Sequence, residues 1–292
     1  EDMQHDFYRP ASMSRFQIGL NKDGLPVSWN NQLASPSILK RFFAPMAWFN
    51  VDPLSTEGAD EIPYAVEDFN LDYTEVDSGV PVGFWHSVGS SFNAFFIESA
   101  IDESAHLAGQ DPLLYRMKLL NGKTRFQKVL NKVAEESQWG RELPKGHGLG
   151  ICLHKTRGSI AGAVIEVSTG VKGMLKLHKA WISIDCGKII NPNTIRAQME
   201  GGFTFGLSAT LGEQITLKDG RVQQSNFHDY PILRLKGSPE ISVEIIESGN
   251  EIGGVGEVAV PLAAPALTNA IFSSSGRRIR SLPLSKHGIK IA

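Results

Sequence analysis

The stretch GGVGEVAVPLAAPAL, residues 253–267, sets a single carboxylate between glycines and an almost unbroken apolar run. That carboxylate, Glu257, is the last acidic residue of the chain, and no Lys or Arg occurs between Glu251 and Arg277. Burial among apolar groups raises the pKa of a carboxyl group, which suits a general base near neutral pH. The sequence therefore leaves two interpretations, an ordinary turn residue or a base, and it offers no local cation to lower the pKa.

The same stretch formally matches GxGxxA, the fingerprint of a dinucleotide-binding turn. Pro261 and Pro265 are expected to interrupt the helix that such a site needs directly after its glycines. The acidic residue that holds the ribose, about twenty positions further on, is also missing. A dinucleotide site is therefore rejected.

Residue patterns outside this stretch predict an α+β chain with mixed or antiparallel sheets and packed helices. FQIGLNKDGLPVSW, residues 16–29, is typical of a β-hairpin that turns at Asp23-Gly24. Residues 31–83 show no sustained period and are interpreted as long loops and short strands. Helices are expected in residues 92–109, with a buried stripe of Phe95, Ile97, Ile101 and Ala105, in residues 111–120, with Asp111 as N-cap and Pro112 first, and in residues 125–139.

The second half of the chain has a strand-rich pattern. GRELPKGHGLG, residues 140–150, is rich in Gly, Pro and charge, and it predicts a boundary between a first region, 1–143, and a second, 144–292. Strands are expected in residues 161–168 and 174–185, on either side of a TGVKG turn, in a hairpin around Asp219-Gly220, and in residues 240–248. Helices are expected in residues 191–211 and 265–276, the latter with Pro265 at its first position and Gly276 at C′.

Composition excludes several classes of protein. The 292 residues carry a formal net charge of -2, which gives no electrostatic case for binding nucleic acid or an anionic membrane. The two cysteines, Cys152 and Cys186, form no CxxC pair and are expected to be free buried thiols. No apolar run is long enough to span a bilayer. Because the sequence does not begin with Met, we expect a processed product or a fragment.

Two further stretches have the character of ligand sites. In NPNTIRAQMEGGFTFGL, Gln198, one of Gly201 and Gly202, and Phe205 share a helical face. Adjacent glycines cost a helix about 1 kcal/mol each, so something must approach that face, either a tightly packed helix or a flat polar ring bound by the Gln amide. In PVGFWHSVGSSFNAFFIESAIDE, residues 81–103, a turn rich in Gly and Ser enters a helix. It either presents backbone N–H groups to a ligand or is a plain N-cap by Ser90 or Ser91.

Taken together, long segments of the chain resemble the molybdenum-binding large subunit of the xanthine dehydrogenase and aldehyde oxidase superfamily. The resemblance is strongest to its bacterial isoquinoline 1-oxidoreductase β-subunit branch and covers nearly the whole chain. It rests on residues 1–11, 81–103, 185–209, 219–234, 253–257 and 264–284. Members of that family continue well upstream, so the chain is similar to the C-terminal portion of such a subunit. Two residues depart from the pattern: His86 stands where Arg is common, and Phe92 near a position where Gln is common.

The resemblance implies a function in which Glu257 is the general base and takes a proton from a hydroxyl on molybdenum. It implies that Gln198 contacts the pterin of a molybdenum–molybdopterin cofactor, for which the cytosine dinucleotide form is one option. The cofactor-binding residues that it implies are Gly83, Phe84, Trp85, His86, Gly89, Gln198, Gly201, Gly202 and Gly256. The substrate would be a small aldehyde or N-heterocyclic aromatic, and no protein side chain would ligate the metal.

Partners are also implied by the resemblance rather than by the residues. They are the upstream part of the large subunit, a small subunit that carries [2Fe-2S] clusters, and in some systems a cytochrome c. The resemblance does not decide between bacterial cytoplasm and periplasm, or whether partners attach the protein to a membrane. The alternative is a non-catalytic fragment or assembly partner that cannot bind cofactor alone, and we expect the isolated chain to be inactive.

Overall fold

A computed structural model describes residues 3–43, 51–170 and 174–291 of the chain. Strands and helices follow one another in runs along the chain, which is an α+β arrangement, as predicted. The strands are β1 Met13–Leu20, β2 Pro26–Ser35, β3 Asp68–Glu75, β4 His147–Thr156, β5 Ser159–Thr169, β6 Met174–Asp185, β7 Leu217–Lys218, β8 Arg221–Val222, β9 Glu240–Ile245 and β10 Lys290–Ile291. The α-helices are α1 Leu39–Phe42, α2 Pro53–Thr56, α3 Ser90–Leu107, α4 Pro112–Leu119, α5 Thr124–Glu136, α6 Pro192–Leu211 and α7 Val260–Ser275.

A three-stranded sheet contains the predicted first hairpin. Strands β1 and β2 pair antiparallel on either side of the Asp23-Gly24 turn, where Gly24 has a φ of 74°. Strand β3 then pairs parallel to β2 along its full length, from Asp68 opposite Ser28. Long loops and short strands were expected in 31–83; the short helices α1 and α2 were not predicted there, and β3 is a strand of eight residues. Its alternate residues Phe69, Leu71 and Tyr73 are half-buried, so a period of two was present but was overlooked.

The second sheet has the order β10-β6-β5-β4, and β9 also pairs with β6, in parallel. Its strand β4 was missed, because it begins at His147, inside the stretch interpreted as a boundary. Residues 148–154 of β4 are all buried, so both faces are covered and no alternation marks the strand. Helix α7 lies directly on it: a Cβ at Gly150 would stand 2.2 Å from the Ala270 nitrogen. In the TGVKG turn, residues 171–173 lie outside the described residues.

Helix α7 begins earlier than predicted. It starts at Val260, with Pro261 in its first turn and Pro265 in its interior, so the placement of Pro265 at the first position was wrong. An internal proline costs a helix about 3 kcal/mol. Residues 260–271 are all buried, and we attribute the tolerance of Pro265 to that burial, which outweighs this cost. The helix ends as predicted at Gly276, which adopts a left-handed φ of 71°.

Two hydrophobic clusters form the interior. One contains the inner residues of β5, β6, α6 and α7, together with both free, buried cysteines, Cys152 of β4 and Cys186 directly after β6. The other joins α3, α4 and α5 to residues of β4 and β5, so it spans the predicted boundary at 143/144. The two-region division stays a prediction. In the described ranges, no helix combines the length and apolar character needed to cross a membrane.

A buried ion pair ties the second cluster together. The Arg116 guanidinium on α4 is fully buried and donates from Nε to Glu98 Oε2 on α3 at 2.9 Å. The Tyr64 hydroxyl donates to the other oxygen of Glu98 at 2.6 Å, and the Leu153 N–H of β4 donates to Oε2 at 3.1 Å. Since the carboxylate is shared by four segments, it fixes α3 against both α4 and the second sheet.

Candidate functional site

The turn before α3 holds Glu257 directly. The Ser87 N–H donates to Glu257 Oε1 at 3.0 Å, and the Ser87 hydroxyl donates to the Glu257 backbone carbonyl. His86 Nδ1 lies 3.7 Å from the same carboxylate oxygen. Ser87 and Val88 both have positive φ values, 70° and 45°, which is unfavourable for a β-branched residue such as Val88. This backbone conformation presents the Ser87 N–H to the carboxylate.

A plain N-cap by Ser90 or Ser91 does not describe this turn. Helix α3 has Gly89 as its N-cap residue, without a side-chain hydrogen bond to the first turn. The Ser91 hydroxyl instead donates to the Val88 carbonyl at 2.7 Å. The turn is therefore held together by its own backbone and by Glu257.

The pKa of Glu257 is shifted in the opposite direction from the one expected. Arg157, in the turn between β4 and β5, donates from Nε to Glu257 Oε2 at 3.0 Å. Partial burial raises the pKa of Glu257, but the Ser87 N–H, the Arg157 guanidinium and nearby His86 together lower the pKa below its ordinary value. The expected rise by desolvation was wrong, because the fold supplies a cation that the neighbouring sequence lacks. Glu257 is an ionised carboxylate at neutral pH.

The predicted face of α6 lies close to this turn. Gln198, Gly201 and Phe205 are exposed, whereas Gly202 is buried. The Phe205 ring centroid lies 5.1 Å from that of Trp85 and 5.2 Å from that of His86. Thus His86 contacts both Phe205 and Glu257, and the structure brings together the three stretches that the sequence singled out.

The two glycines of α6 have different roles. A Cβ at Gly201 would meet nothing within 4 Å, so its backbone is open to a ligand. A Cβ at Gly202 would stand 3.2 Å from the Ala259 Cβ, next to α7. Gly206, which the sequence did not single out, is packed more closely still: a Cβ there would stand 2.6 Å from the Val260 carbonyl oxygen. The packing interpretation therefore applies to Gly202, whereas the ligand interpretation stays a prediction for Gly201.

The glycines of the turn and of the GxGE segment also separate into packed and open positions. A Cβ at Gly83 would stand 2.7 Å from Phe7 Cβ, and one at Gly89 only 2.2 Å from the Leu54 carbonyl oxygen. These two glycines thus have a packing explanation within the chain. A Cβ at Gly256 would meet nothing within 4 Å, so this position stays accessible.

Aromatic residues extend the turn on its outer side. Phe84 is 53% exposed, and its ring centroid lies 4.3 Å from that of Phe42. Trp85 is half-buried, with the Arg9 guanidinium 4.2 Å from its ring centroid. Phe92 is buried in α3, and its ring centroid lies 6.2 Å from that of Phe96.

Sequence reasoning missed Arg157, Ser87 and Glu57. Arg157 also lies 3.5 Å from Glu57 Oε1, so it is shared by two carboxylates. The only local signal was the Arg157-Gly158 pair between two strands, which predicts a two-residue hairpin turn. That signal locates the turn but not its partner, which lies 100 residues away along the chain.

The residues present fit a flat polar cofactor. The exposed Gln198 amide and the open backbone at Gly201 lie on the same face of α6 as Phe205, and His86 links the Phe205 ring to the ionised Glu257 carboxylate. Over residues 3–43, 51–170 and 174–291, no group of three or more His, Cys, Asp or Glu side chains is arranged to hold a metal ion.

Comparisons with known proteins indicate the class of protein to which the site is similar. Residues 131–239 match the family model of the molybdopterin cofactor-binding domain. Isoquinoline 1-oxidoreductase subunit beta of Brevundimonas diminuta is 31% identical over 97% of this chain and 37% of that protein. A membrane-bound aldehyde dehydrogenase of Gluconacetobacter polyoxogenes, whose name includes pyrroloquinoline quinone, is 26% identical over 97% of this chain and 40% of that protein. Among solved structures, quinoline 2-oxidoreductase from Pseudomonas putida 86 matches with a TM-score of 0.82, at 12% identity, over 97% of this chain and 62% of that chain.

The fold and the matched residues thus define a molybdopterin cofactor-binding domain. These matches support the xanthine dehydrogenase/aldehyde oxidase family, which is the family that the sequence resemblance indicated. The chain spans less than half of the length of the two curated relatives.

Proposed function

We propose that this chain supplies part of the cofactor-binding region of a molybdenum hydroxylase and that Glu257 is its general base. The observation that carries the proposal is the setting of the Glu257 carboxylate. It is held between the Ser87 N–H and the Arg157 guanidinium, and its side chain is still 32% exposed. His86 connects it to the exposed face of α6 through Phe205.

The chain's own residues bind, orient and move a proton. The molybdopterin group, when bound, supplies the two-electron oxidation. Gln198 would hold it through its amide, and the open backbone at Gly201 lets a flat ring come close. Glu257 accepts the proton from the water-derived hydroxyl that attacks an electron-poor carbon of the substrate. Each carboxylate oxygen has two lone pairs, so Glu257 keeps acceptor capacity beyond its bonds to Ser87 and Arg157.

The substrate class is proposed from the names of the relatives, and the partners from the family resemblance. We propose an aldehyde or an N-heterocyclic aromatic as the substrate, since the relatives are named as an isoquinoline oxidoreductase and an aldehyde dehydrogenase. Electrons would leave to a [2Fe-2S] small subunit, with a cytochrome c as a further acceptor. The cofactor would be molybdopterin, in its simple or cytosine dinucleotide form. Since the relatives are much longer, we propose that the isolated chain neither holds cofactor nor turns over.

The test uses the assembly that copurifies with this chain. We expect molybdenum in stoichiometric amount there, and an assay for pyrroloquinoline quinone on the same sample covers the other cofactor that a relative's name includes. Molybdenum with turnover in the isolated chain would contradict its proposed inactivity. An assembly with neither molybdenum nor activity would favour a non-catalytic partner.

Glu257→Gln tests the base itself. The substitution keeps the size and removes the proton acceptor, so turnover in the loaded assembly should fall by roughly a hundredfold or more, with molybdenum content unchanged. The matched control is Glu251→Gln, an exposed carboxylate in the same loop, which should leave turnover unaltered. A Glu257→Gln variant with near wild-type turnover would show that this residue is not the base.

A further inference from the structure

We infer that Arg157 is a positioning residue for Glu257: its guanidinium orients that carboxylate and keeps it charged, and Glu57 shares the same cation. The inference deepens the proposed function, because it assigns the group that prepares the base. It rests on contacts between three segments that the sequence keeps far apart.

The first step is the rigidity of the turn that carries Arg157. Arg157 and Gly158 form a two-residue turn between the paired residues Thr156 and Ser159, and both have left-handed φ values, 52° and 79°. The Arg125 guanidinium donates to the Gly158 carbonyl at 3.1 Å. Since such a turn has little freedom, the Cα–Cβ bond of Arg157 points in one direction, and the two carboxylates then orient the guanidinium.

The second step is the contact between this turn and the glycines before Glu257. The Arg157 carbonyl accepts from the Gly254 N–H at 2.8 Å, and the Ser159 hydroxyl donates to the Gly254 carbonyl at 2.6 Å. A Cβ at Gly253 would stand 2.8 Å from the Ser159 nitrogen. The β4–β5 turn thus binds the glycine loop through its backbone and the Glu257 carboxylate through the Arg157 side chain. An ordinary surface ion pair between two long side chains would not hold the backbone of the loop as well.

The third step is the unequal setting of the two carboxylates. Glu257 receives the Ser87 N–H and Arg157 Nε, both at 3.0 Å, with His86 beyond. Glu57 receives the Thr156 hydroxyl at 3.1 Å and Arg157 Nη1 at 3.5 Å, while its Oε2 is buried without a partner among the described residues. Burial raises the pKa of Glu57, and Glu257 and Asp60 raise it further, against the lowering effect of Arg157 and Thr156.

The order of proton uptake follows from these settings. The charged or titratable groups facing the pair are Arg157, His86, Asp60 and, behind the turn, Arg125. As pH falls, Glu57 is protonated first, and the Arg157 guanidinium then pairs with the Glu257 carboxylate alone. Glu257 stays ionised to lower pH than Glu57, so the carboxylate proposed as the base is the one that remains charged.

The experiment is a titration of the 292-residue chain labelled with ¹³C at the glutamate carboxyl carbon, followed by NMR, with signals assigned through Glu57→Gln and Glu257→Gln. Glu257 should titrate at lower pH than Glu57. In Arg157→Asn, which removes the charge and tolerates the left-handed turn, the Glu257 midpoint should move to higher pH. Arg157→Lys should restore part of the shift. Arg280→Asn, which breaks the exposed pair with Glu103, should leave the Glu257 midpoint unchanged.

An unmoved Glu257 midpoint in Arg157→Asn would overturn the inference, as would a Glu57 midpoint below that of Glu257. If Arg157→Asn does not fold, Arg157→Lys makes the test, because it keeps the charge but loses the planar guanidinium that donates to Glu257. The Glu257 midpoint should then rise above that of the wild-type chain, and an unchanged midpoint would refute the positioning role of Arg157. The titration needs no cofactor, so it can succeed where Glu257→Gln leaves turnover intact and the proposed function fails.

Discussion

The contact between α6 and α7 gives a prediction whose size follows from the structure. In Gly206→Ala the new Cβ would stand 2.6 Å from the Val260 carbonyl oxygen and 2.7 Å from the Ala263 Cβ. These are atoms of the first turns of α7 that no side-chain rotation can move away. Overpacking of this kind costs about 1–3 kcal/mol, with the backbone clash placing it near the upper end, while the better helix propensity of Ala returns about 1 kcal/mol. We expect a net loss of about 2 kcal/mol.

Gly201→Ala is the matched control, five residues earlier on the same helix. Its Cβ would meet nothing within 4 Å, so only the propensity gain of about 0.5–1 kcal/mol remains. The two variants should therefore differ by about 3 kcal/mol in the free energy of unfolding. Urea titration followed by far-UV circular dichroism measures this, provided that the slope m is the same in both. A Gly206→Ala chain as stable as Gly201→Ala would refute the close packing of α6 on the helix that follows Glu257.

Three further outcomes are expected. Arg116→Met should cost about 3–5 kcal/mol, because it leaves Glu98 buried without its cation. Lys132→Met breaks a partly exposed pair and should cost far less. Urea unfolding compares the two variants, and equal losses would contradict the role of the buried pair. Burial lowers the pKa of His154 to about 4, below its ordinary 6.5, so the unfolded chain binds the proton more readily than the folded chain. The free energy of unfolding should therefore have its full value above pH 6.5 and fall by about 3 kcal/mol towards pH 4. In His154→Gln the loss over the same pH range should be smaller by that amount. Gln198→Ala should lower the molybdenum content of the loaded assembly with the urea midpoint unchanged, and full occupancy would argue against its contact with the cofactor.

Local chemistry made several elements predictable. The Asp23-Gly24 hairpin and the Asp111-Pro112 start of α4 depend on residues next to one another, and both are present as expected. Strand β4 and the start of α7 were not predictable in this way. Both are covered on nearly every side, so neither shows the alternation or the break at proline that marks a half-exposed element. Tertiary burial decided these two elements.

In the candidate site, too, the sequence predicted the local features but not the electrostatic effect of residues distant in sequence. Glycines and aromatic residues located the three stretches that meet at Glu257, because their patterns are local. The pKa of Glu257 was predicted in the wrong direction, since Arg157 reaches it from a turn 100 residues earlier. Charges that approach across such a separation leave no trace in the residues on either side of a carboxylate.

The long separations around Glu257 have a consequence for how the chain folds. Its carboxylate bonds to Ser87 and Arg157, 170 and 100 residues away in sequence, whereas the hairpins and helices nearby close over short loops. Contacts of high sequence separation form late, because chain entropy must be lost before they are made. A folding intermediate with its helices in place but the β4–β5 turn undocked would carry Glu257 as an ordinary solvated carboxylate. The acidity of this single side chain would then report the last stage of folding, and a cofactor that requires it could bind only after that stage.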